Sequence, residues 1–336
     1  MSATGLPDLA AVRQAAVRIA PHVHRTPVLT ASSLDAEVGA QLFFKCENLQ
    51  KIGAFKARGA TNAVFSLPDE VAARGVVTHS SGNHGAALAY AARRRGIRAW
   101  VVMPENAPQV KIANVAREGA TIRFCAPNVA AREAACAEVQ GESGATLIHP
   151  YDNADVIAGQ ATAALELLGE VPDLNAVIAP CGGGGLLAGT AIAVRALAPR
   201  VRVLGAEPAC ADDAARSLAS GRVEALAATT TLADGLRTTL APRTLAALRA
   251  HVEAIGTCSE DGIVRAMRLT WERMKIVVEA SSAVPLACLL EGTLRVRGAR
   301  VGVVLSGGNV DLDRLPWSPA AGSSTAELPR PRRATH

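Results

Sequence analysis

The sequence predicts an α/β protein whose parallel sheets are covered by helices on both faces. The first observation is that short strand patterns rich in β-branched residues alternate with alanine-rich helical patterns. The second is composition: 49% of the residues are hydrophobic but only 3% are aromatic, so small aliphatic side chains must form the core. The third is the length of 336 residues, which at about 150 residues per domain indicates two domains.

The strand and helix patterns alternate along most of the chain. In chain order, the predicted strands are 76–78, 99–103, 121–125, 146–148, 176–179, 201–205 and 301–305. The helices predicted between them are 86–95, 109–118, 129–139 and 186–198. Residues 174–194 carry no charge and imitate a membrane span, but Pro180 and the glycines after it would leave peptide groups without hydrogen bonds in lipid. We therefore predict strand, loop and helix there, and no membrane segment.

The spacing of these patterns also predicts the domains. Residues 75–148 hold four closely spaced βα units, which is enough for a small domain. Residues 1–74 and 149–317 are predicted to form one larger, discontinuous domain, with the N-terminal part returning to the same sheet. Residues 318–336, rich in Pro, Ser, Ala and Arg, are predicted to be a disordered tail. Because ligands of open α/β sheets bind at the carboxyl ends of strands, we expect the functional site there.

Charge and cysteine usage exclude several classes of protein. The chain has 35 basic and 30 acidic residues, and the resulting net charge of +5 is too small to indicate a surface that binds nucleic acid. Its seven cysteines are widely spread and include no C-x-x-C pair, which predicts reduced thiols in a cytoplasmic protein without disulfides or zinc. The N-terminus lacks the uninterrupted apolar stretch of a signal peptide.

Four successive glycines, Gly182–Gly185, lie between a predicted strand and a predicted helix. Successive glycines let backbone N–H groups converge, and a helix N-terminus adds positive partial charge, so this turn predicts a phosphate site. A tight turn that needs positive φ is the simpler alternative, although one glycine usually suffices for it. The spacing Gly183-x-Gly185-x-x-Ala188 also satisfies the dinucleotide fingerprint, with Glu207 placed to hold a ribose hydroxyl. A nicotinamide-dependent dehydrogenase is therefore an alternative function at this point.

Two further segments carry reactive side chains. The segment Ser80-Ser81-Gly82-Asn83-His84-Gly85 places hydroxyl, amide and imidazole groups at a helix N-terminus, where an anion is favoured. A simple helix cap explains the same residues equally well. Lys56 is flanked by Phe55 and small residues, and a desolvated lysine with a lowered pKa can form a Schiff base. The usual alternative for any one lysine is a solvated position on the surface.

Several segments occur in a distinctive order along the chain: Asn48-Leu49-Gln50, 53–60, 80–85, 182–185 and Ser306-Gly307-Gly308-Asn309. In these segments, and in their order, the chain resembles the serine/threonine dehydratases among the enzymes that use pyridoxal 5'-phosphate (PLP). The likeness covers about residues 5–315 and is greatest for the branch of serine racemase and the 3-hydroxyaspartate dehydratases. It implies PLP fold type II, which is tryptophan synthase β-like: two open, twisted parallel-sheet domains with the cofactor in the cleft between them. It also implies a homodimer.

The resemblance assigns roles around the cofactor. Lys56 would hold PLP through a Schiff base and then act as the base at Cα. Asn83 would hydrogen-bond the phenolic oxygen, and Ser306 would face the pyridine nitrogen. The other implied cofactor contacts are Phe55, Gly182, Gly183, Gly184, Gly185, Leu186 and Gly235. Because the hydroxyl of Ser306 is neutral, it stabilises a pyridinium less than a carboxylate does, which favours β-elimination over transamination.

Substrate contacts follow from the same resemblance. Ser81 matches a serine on the ring face opposite the lysine, where it would serve as a second base and give racemase activity. The substrate carboxylate would be bound by Ser80, Ser81, Asn83 and His84. Arg132 would approach the substrate or a bound dicarboxylate, and Thr238 would lie near the substrate. Ala54 and the segment Glu279-Ala280 depart from the pattern of many relatives, which can tune the substrate pocket.

A divalent cation is also implied. Glu207, Asp213 and the carbonyl oxygen of Ala211 match positions that bind a cation in this branch, and such hard oxygen ligands suit Mg²⁺, with Ca²⁺ or Mn²⁺ as the other choices. The simpler alternative is a solvated acidic loop. If Glu207 binds a cation, it is not available to hold the ribose of a nicotinamide cofactor, which weakens the dehydrogenase hypothesis.

The function predicted first is a PLP-dependent ammonia-lyase of the hydroxy-amino-acid dehydratase type. It would convert 3-hydroxyaspartate, serine or threonine into a 2-oxo acid and ammonia, with racemase activity of the serine or aspartate type as a companion. The first alternative keeps the fold but performs β-replacement, as sulfhydrylases do. The second is the dehydrogenase. The expected partner is a small amino-acid substrate, with neither nucleic acid nor membrane involved.

Overall fold

The computed structural model describes residues 5–80, 82–107, 109–226 and 229–318. Within these ranges, ten strands form one larger and one smaller sheet. The strands are β1 (Val28–Leu29), β2 (Gln41–Cys46), β3 (Val76–His79), β4 (Ala99–Pro104), β5 (Thr121–Cys125), β6 (Thr146–Leu147), β7 (Ala176–Pro180), β8 (Arg202–Pro208), β9 (Ala254–Cys258) and β10 (Arg300–Leu305).

Thirteen α-helices connect these strands within the described ranges. They are α1 (Leu9–Ile19), α2 (Ser32–Val38), α3 (Lys56–Ser66), α4 (Asp69–Ala72), α5 (Asn83–Arg95), α6 (Gln109–Arg117), α7 (Val129–Ser143), α8 (Ala154–Glu170), α9 (Gly185–Leu197), α10 (Asp213–Ser220), α11 (Pro242–His251), α12 (Glu260–Leu269) and α13 (Ala280–Leu290). Side-chain caps begin several of them: Asn153 accepts a hydrogen bond from the N–H group of Val156 at α8, and Ser259 does the same for Gly262 at α12.

The larger sheet has the order β1-β2-β10-β7-β8-β9. Only β1 is antiparallel to its neighbour, and the other five strands are parallel. Alternate residues of β7 point to opposite faces, so Val177 packs with α8 and α9 whereas Ile178 packs with α12 and α13. A strand buried on both faces reads as a continuous aliphatic run, which explains why the sequence pattern of β7 is so clear.

The smaller sheet has the order β5-β4-β3-β6 and is entirely parallel. Its strand β3 shows the same alternation: Val76 packs against α5 and Val77 against α7. All four of its strands lie between residues 76 and 147, while the exact domain boundaries stay a prediction. The carboxyl ends of β3, β7 and β10 lead into the segments that the sequence singled out.

The α/β class with parallel sheets is confirmed, as are the seven strands and four helices predicted from the sequence. The uncharged stretch over 174–194 forms β7, a turn and most of α9, and no described helix is long and apolar enough to cross a membrane. The sequence did not reveal β1, β2 and β9. Two of the predicted features, Ser81 and nearly all of the tail over 318–336, lie outside the described residues.

Candidate active site

Lys56 is the first residue of α3 and lies beside the end of β10. The chain before it is fixed by a hydrogen bond from the N–H group of Phe55 to the carbonyl oxygen of Ser306, 3.0 Å long. The amine Nζ of Lys56 donates a hydrogen bond of 2.8 Å to the carbonyl oxygen of Pro150. Burial lowers the pKa of Lys56 to about 8, because the charged ammonium is poorly solvated there. A fraction of this amine is therefore neutral and nucleophilic near neutral pH.

A strained turn precedes Lys56. Ile52 has a φ of 56°, a left-handed conformation that is rare for a β-branched residue, and Gly53 follows with a φ of 70°. The side chain of Asn309 holds this turn by donating a 2.8 Å hydrogen bond to the carbonyl oxygen of Ile52. A Cβ atom on Gly53 would lie only 2.7 Å from Oδ1 of Asn309, so the close approach requires glycine. The segment 306–309 thus shapes the backbone that leads to Lys56.

The four glycines form the turn between β7 and α9. A Cβ atom on Gly183 would lie 2.3 Å from the ring of Tyr151, and one on Gly182 would lie 3.0 Å from Oγ1 of Thr238. Gly184 has a φ of 83°, which favours glycine by itself. Because the first N–H groups of α9 have no acceptors within the helix, this turn can bind the oxygens of a phosphate. A larger residue in this turn, which we call the glycine cradle, would collide with neighbours such as Tyr151 and Thr238.

Asn83, the first residue of α5, links the smaller sheet to the larger one. Its Nδ2 donates to Oε1 of Glu279 over 2.9 Å, and its Oδ1 accepts from Nδ2 of Asn309 over 2.9 Å. The backbone N–H group of Asn309 also donates to Glu279, at 3.2 Å. Burial, reinforced by the charge of Asp234, raises the pKa of Glu279 to about 7. In the sequence, Glu279 stands out only as the start of a departure from the family pattern, and no motif predicts its contact with Asn83.

The predicted substrate contacts lie in different settings. His84 is buried, and its Nε2 lies 3.1 Å from the carbonyl oxygen of Ile148. Because a carbonyl only accepts, Nε2 carries the hydrogen, and Nδ1 is an acceptor without a partner among the described residues. Ser80 is half-buried, and its hydroxyl accepts a 3.3 Å hydrogen bond from the N–H group of Gly82.

Two other predicted substrate residues come from different parts of the fold. Arg132 lies on α7, and its Nε donates a 3.4 Å hydrogen bond to the carbonyl oxygen of Asn128. Burial lowers the pKa of His79, at the end of β3, and the charge of Arg132 adds to that effect. Thr238 lies beside Gly182, as described above. The structure therefore brings Thr238 to the glycine cradle and places Arg132 near the carboxyl end of the smaller sheet.

Glu207 and Asp213 form a pair of buried carboxylates. Glu207 accepts hydrogen bonds from the N–H groups of Ala214 and Ala215, at 3.2 and 2.8 Å. Both carboxylate oxygens of Asp213 are buried without a hydrogen-bond partner among the described residues. Burial raises the pKa of Glu207 to about 9 and that of Asp213 to about 6, and the repulsion between them adds to the shift of Glu207. A divalent cation would satisfy the unpaired oxygens of Asp213, so this carboxylate fits a metal ligand, although the described residues hold no group of three or more His, Cys, Asp or Glu side chains placed to bind one.

A buried ionic network, which was not predicted from the sequence, lies behind Lys56. Arg58 is fully buried on α3 and makes paired hydrogen bonds to Glu47, at 2.7 and 2.8 Å, and to Glu166, at 2.7 and 2.8 Å. The buried amine of Lys45 completes the network with a 2.7 Å ion pair to Glu166. The network joins β2, α3 and α8, which fixes the helix that begins with Lys56. Glu166 stands 108 residues from Arg58 in the sequence, so no local motif reveals the complete network.

A phosphorylated aldehyde would meet two complementary groups in this cleft: the amine of Lys56 for the carbonyl carbon and the glycine cradle for the phosphate. Such a pairing is typical of the enzymes that use PLP. The chain belongs to that family: residues 19–307 match the family of pyridoxal-phosphate dependent enzymes.

Individual relatives show which enzymes of this family the chain is similar to. The chain is 52% identical over 301 residues to β-hydroxyaspartate dehydratase of Paracoccus denitrificans, covering 90% of this chain and 96% of that protein. It is 48% identical to serine racemase of Oryza sativa, covering 92% of each. The solved structure of maize serine racemase superposes with a TM-score of 0.89 at 47% identity, covering 91% of this chain and 94% of that one. These matches confirm the predicted PLP fold type II and leave the dehydrogenase alternative without support.

Proposed function

We propose that the protein is a PLP-dependent ammonia-lyase that converts a β-hydroxy-α-amino acid into a 2-oxo acid and ammonia. The observation that carries this proposal is the half-buried amine of Lys56, whose pKa is lowered to about 8, next to a turn that packs against the glycine cradle. The similarity to a β-hydroxyaspartate dehydratase supports the reaction class.

Lys56 acts as the base in this proposal. When bound, PLP supplies an electron sink for the negative charge that develops at Cα of the amino acid. The neutral amine of Lys56 takes the proton from Cα, and general base catalysis of this kind contributes about 10²–10⁴-fold to the rate. Loss of the β-hydroxyl as water, followed by hydrolysis of the enamine product, yields the 2-oxo acid and ammonia.

Other residues would hold the cofactor. We propose that the phosphate is surrounded by Gly182–Gly185, Leu186 and Gly235. The N-terminus of α9 follows the cradle, and its positive partial charge favours an anion there. Phe55 would pack beside the ring. Asn83 is proposed to donate to the phenolic oxygen, and the buried hydroxyl of Ser306 to face the pyridine nitrogen. Since that hydroxyl is neutral, we expect elimination to be favoured over transamination.

We infer that the preferred substrate is 3-hydroxyaspartate. Ser80, Asn83 and the unpaired Nδ1 of His84 are proposed to position the amino acid, with Thr238 beside it. Arg132 offers a guanidinium that can pair with a second carboxylate, which serine and threonine lack. Ser81 is proposed as the second base, which would add racemase activity.

A panel of substrates tests this function. We expect one stereoisomer of 3-hydroxyaspartate to release oxo acid with a kcat/KM about 10–100-fold above those of serine and threonine, since a hydrogen bond to a charged group contributes about 1.5–3 kcal/mol. Arg132→Gln should remove most of this preference while leaving the value for serine unchanged. Release of oxo acid from none of the three amino acids, with sulfide instead incorporated into an O-acyl serine, would show that the enzyme performs β-replacement.

We propose that Glu207, Asp213 and the carbonyl oxygen of Ala211 bind a divalent cation, with Mg²⁺ as the first choice and Ca²⁺ or Mn²⁺ as the others. The unpartnered oxygens of Asp213 support this proposal. Further proposals are a homodimer, on the resemblance alone, and a cytoplasmic location, which agrees with seven free cysteines.

Binding of the cation should stabilise the chain. With Mg²⁺ at 100 times its Kd, we expect a gain of about 2.7 kcal/mol and a rise in Tm of roughly 5 °C, which EDTA reverses. Asp213→Asn should abolish the response. Asp212→Asn, in the neighbouring residue that pairs with Arg216, serves as the control and should retain it. Differential scanning fluorimetry measures the Tm of each variant with and without Mg²⁺. An equal rise in Tm in wild type and Asp213→Asn would contradict the proposed cation site.

A further inference from the structure

The turn over residues 149–152 touches both halves of the proposed site. It connects β6 of the smaller sheet to α8, which packs on the larger one. Its Pro150 carbonyl oxygen accepts the hydrogen bond from Nζ of Lys56, at 2.8 Å. The ring of Tyr151 lies against Gly183, where it occupies the space a Cβ atom would need. One short turn therefore fixes a contact to the reactive amine and a contact to the glycine cradle.

The side chain of His149 builds this turn. Its Nδ1 accepts hydrogen bonds from the backbone N–H groups of Tyr151, at 3.3 Å, and Asp152, at 2.8 Å. Asn and Asp side chains commonly perform this task in turns, by accepting from N–H groups two residues ahead. Because Nδ1 is an acceptor here, the hydrogen of the neutral imidazole is on Nε2. Burial, aided by His79, lowers the pKa of His149 to about 4, so the ring stays neutral and Nδ1 stays an acceptor at neutral pH.

The contact to Pro150 matters for the direction of the lysine lone pair. A neutral amine has two N–H bonds and one lone pair. When one N–H bond is directed to a fixed carbonyl oxygen, rotation about the Cε–Nζ bond is restricted and the lone pair is confined to the remaining directions. Holding reacting groups in the productive orientation lowers the barrier substantially, and a displacement of about 1 Å can cost about 10²-fold in rate.

We propose that His149 is a positioning residue for the proton transfer by Lys56: its Nδ1 atom fixes the turn whose Pro150 carbonyl group orients the lysine amine. This inference rests on the proposed function of Lys56. His149 itself needs no contact with the substrate for this role, and no sequence motif indicated it.

Two substitutions separate the two nitrogen atoms of the ring. His149→Asn places an amide oxygen near the position of Nδ1, so it keeps the turn. His149→Gln reaches the position of Nε2 but offers no acceptor at that of Nδ1. We expect H149N to keep kcat within about threefold of wild type, and H149Q to lose about 10–100-fold in kcat with little change in KM.

A second measurement follows the amine without turnover. The full-length, cofactor-free protein is mixed with PLP, and the rate of covalent attachment at Lys56 is followed by visible absorbance. We expect H149Q to attach PLP several-fold more slowly than wild type and H149N to match wild type. Thermal unfolding of each variant confirms that it is folded before the rates are compared.

Every other pattern overturns the inference. If H149Q resembles wild type and H149N is defective, His149 acts through Nε2 on a ligand. Equal defects in both variants would show that the acceptor at Nδ1 is not the important feature, and wild-type rates in both would show that the turn needs no acceptor. Lys56→Ala separates this inference from the proposed function: if that variant is inactive while H149Q is fully active, only the role of His149 is wrong.

Discussion

Replacing Lys56 by alanine is expected to reduce oxo-acid release by at least about 10⁴-fold, since the variant loses both the covalent anchor and the base at Cα. The amine that this variant lacks is held at 2.8 Å from the Pro150 carbonyl oxygen. The rate is measured as oxo acid formed per enzyme. Borohydride reduction followed by mass spectrometry measures attachment: the reduced cofactor should be found on Lys56 in the wild type and be absent from the variant.

Lys51→Ala provides the matched control. Lys51 lies five residues earlier, and its side chain makes no hydrogen bond or ion pair with the part of the site that the structure describes, so its loss should change the rate by about threefold or less. If Lys56→Ala kept full turnover, or if the reduced cofactor were found on Lys51 in the wild type, the assignment of the base would be wrong.

Arg58→Met should lower the free energy of unfolding by about 3–5 kcal/mol. The substitution leaves the buried carboxylate of Glu47 without a positive partner, whereas Glu166 keeps its 2.7 Å ion pair with Lys45. An uncompensated buried charge is more costly than the loss of a solvated ion pair. Unfolding in urea is monitored by circular dichroism. We expect the urea concentration at the midpoint to fall while the dependence of the free energy of unfolding on urea concentration stays the same.

Two variants sharpen this test. Arg93→Met breaks an exposed ion pair with Glu118 and should cost about 1 kcal/mol or less. The double variant Glu47→Leu/Arg58→Met removes the orphaned charge as well as its partner, so it should recover much of the stability that Arg58→Met loses. A loss below about 1 kcal/mol in Arg58→Met itself would mean that the buried network does not stabilise the fold.

The parts of the site that the sequence predicts are those carried by contiguous residues. Lys56 and the cradle over 182–185 each depend on a local pattern of residue types, and the parallel sheet produces aliphatic runs such as β7. The family resemblance then supplied candidate roles for separate residues. What it did not supply is the set of polar contacts among distant segments, such as Asn83 with Glu279 and Arg58 with Glu166, because a polar residue looks the same in sequence whether it is solvated or buried.

Strand prediction failed for similar reasons. β2 contains Lys45, whose charge breaks the apolar pattern although its amine is fully buried and paired in the structure. β1 has only two residues, and β9 is interrupted by Gly256, so both are too short or too irregular to produce a period-two signal. His149 was overlooked because its function is to accept backbone hydrogen bonds, a task normally expected of Asn or Asp.

The pairing of β2 with β10 sets the order in which the chain can fold. Gln41 lies opposite Arg300 in this parallel register. β2 therefore cannot pair with β10 until almost the whole chain has been synthesised. At about 5–20 residues per second, a ribosome needs roughly 13–50 s to cover that separation. The smaller sheet, in contrast, is complete once residue 147 has emerged. Because the segment before Lys56 is fixed by a hydrogen bond from Phe55 to Ser306, just after β10, the proposed active site is among the last regions of the molecule to be assembled.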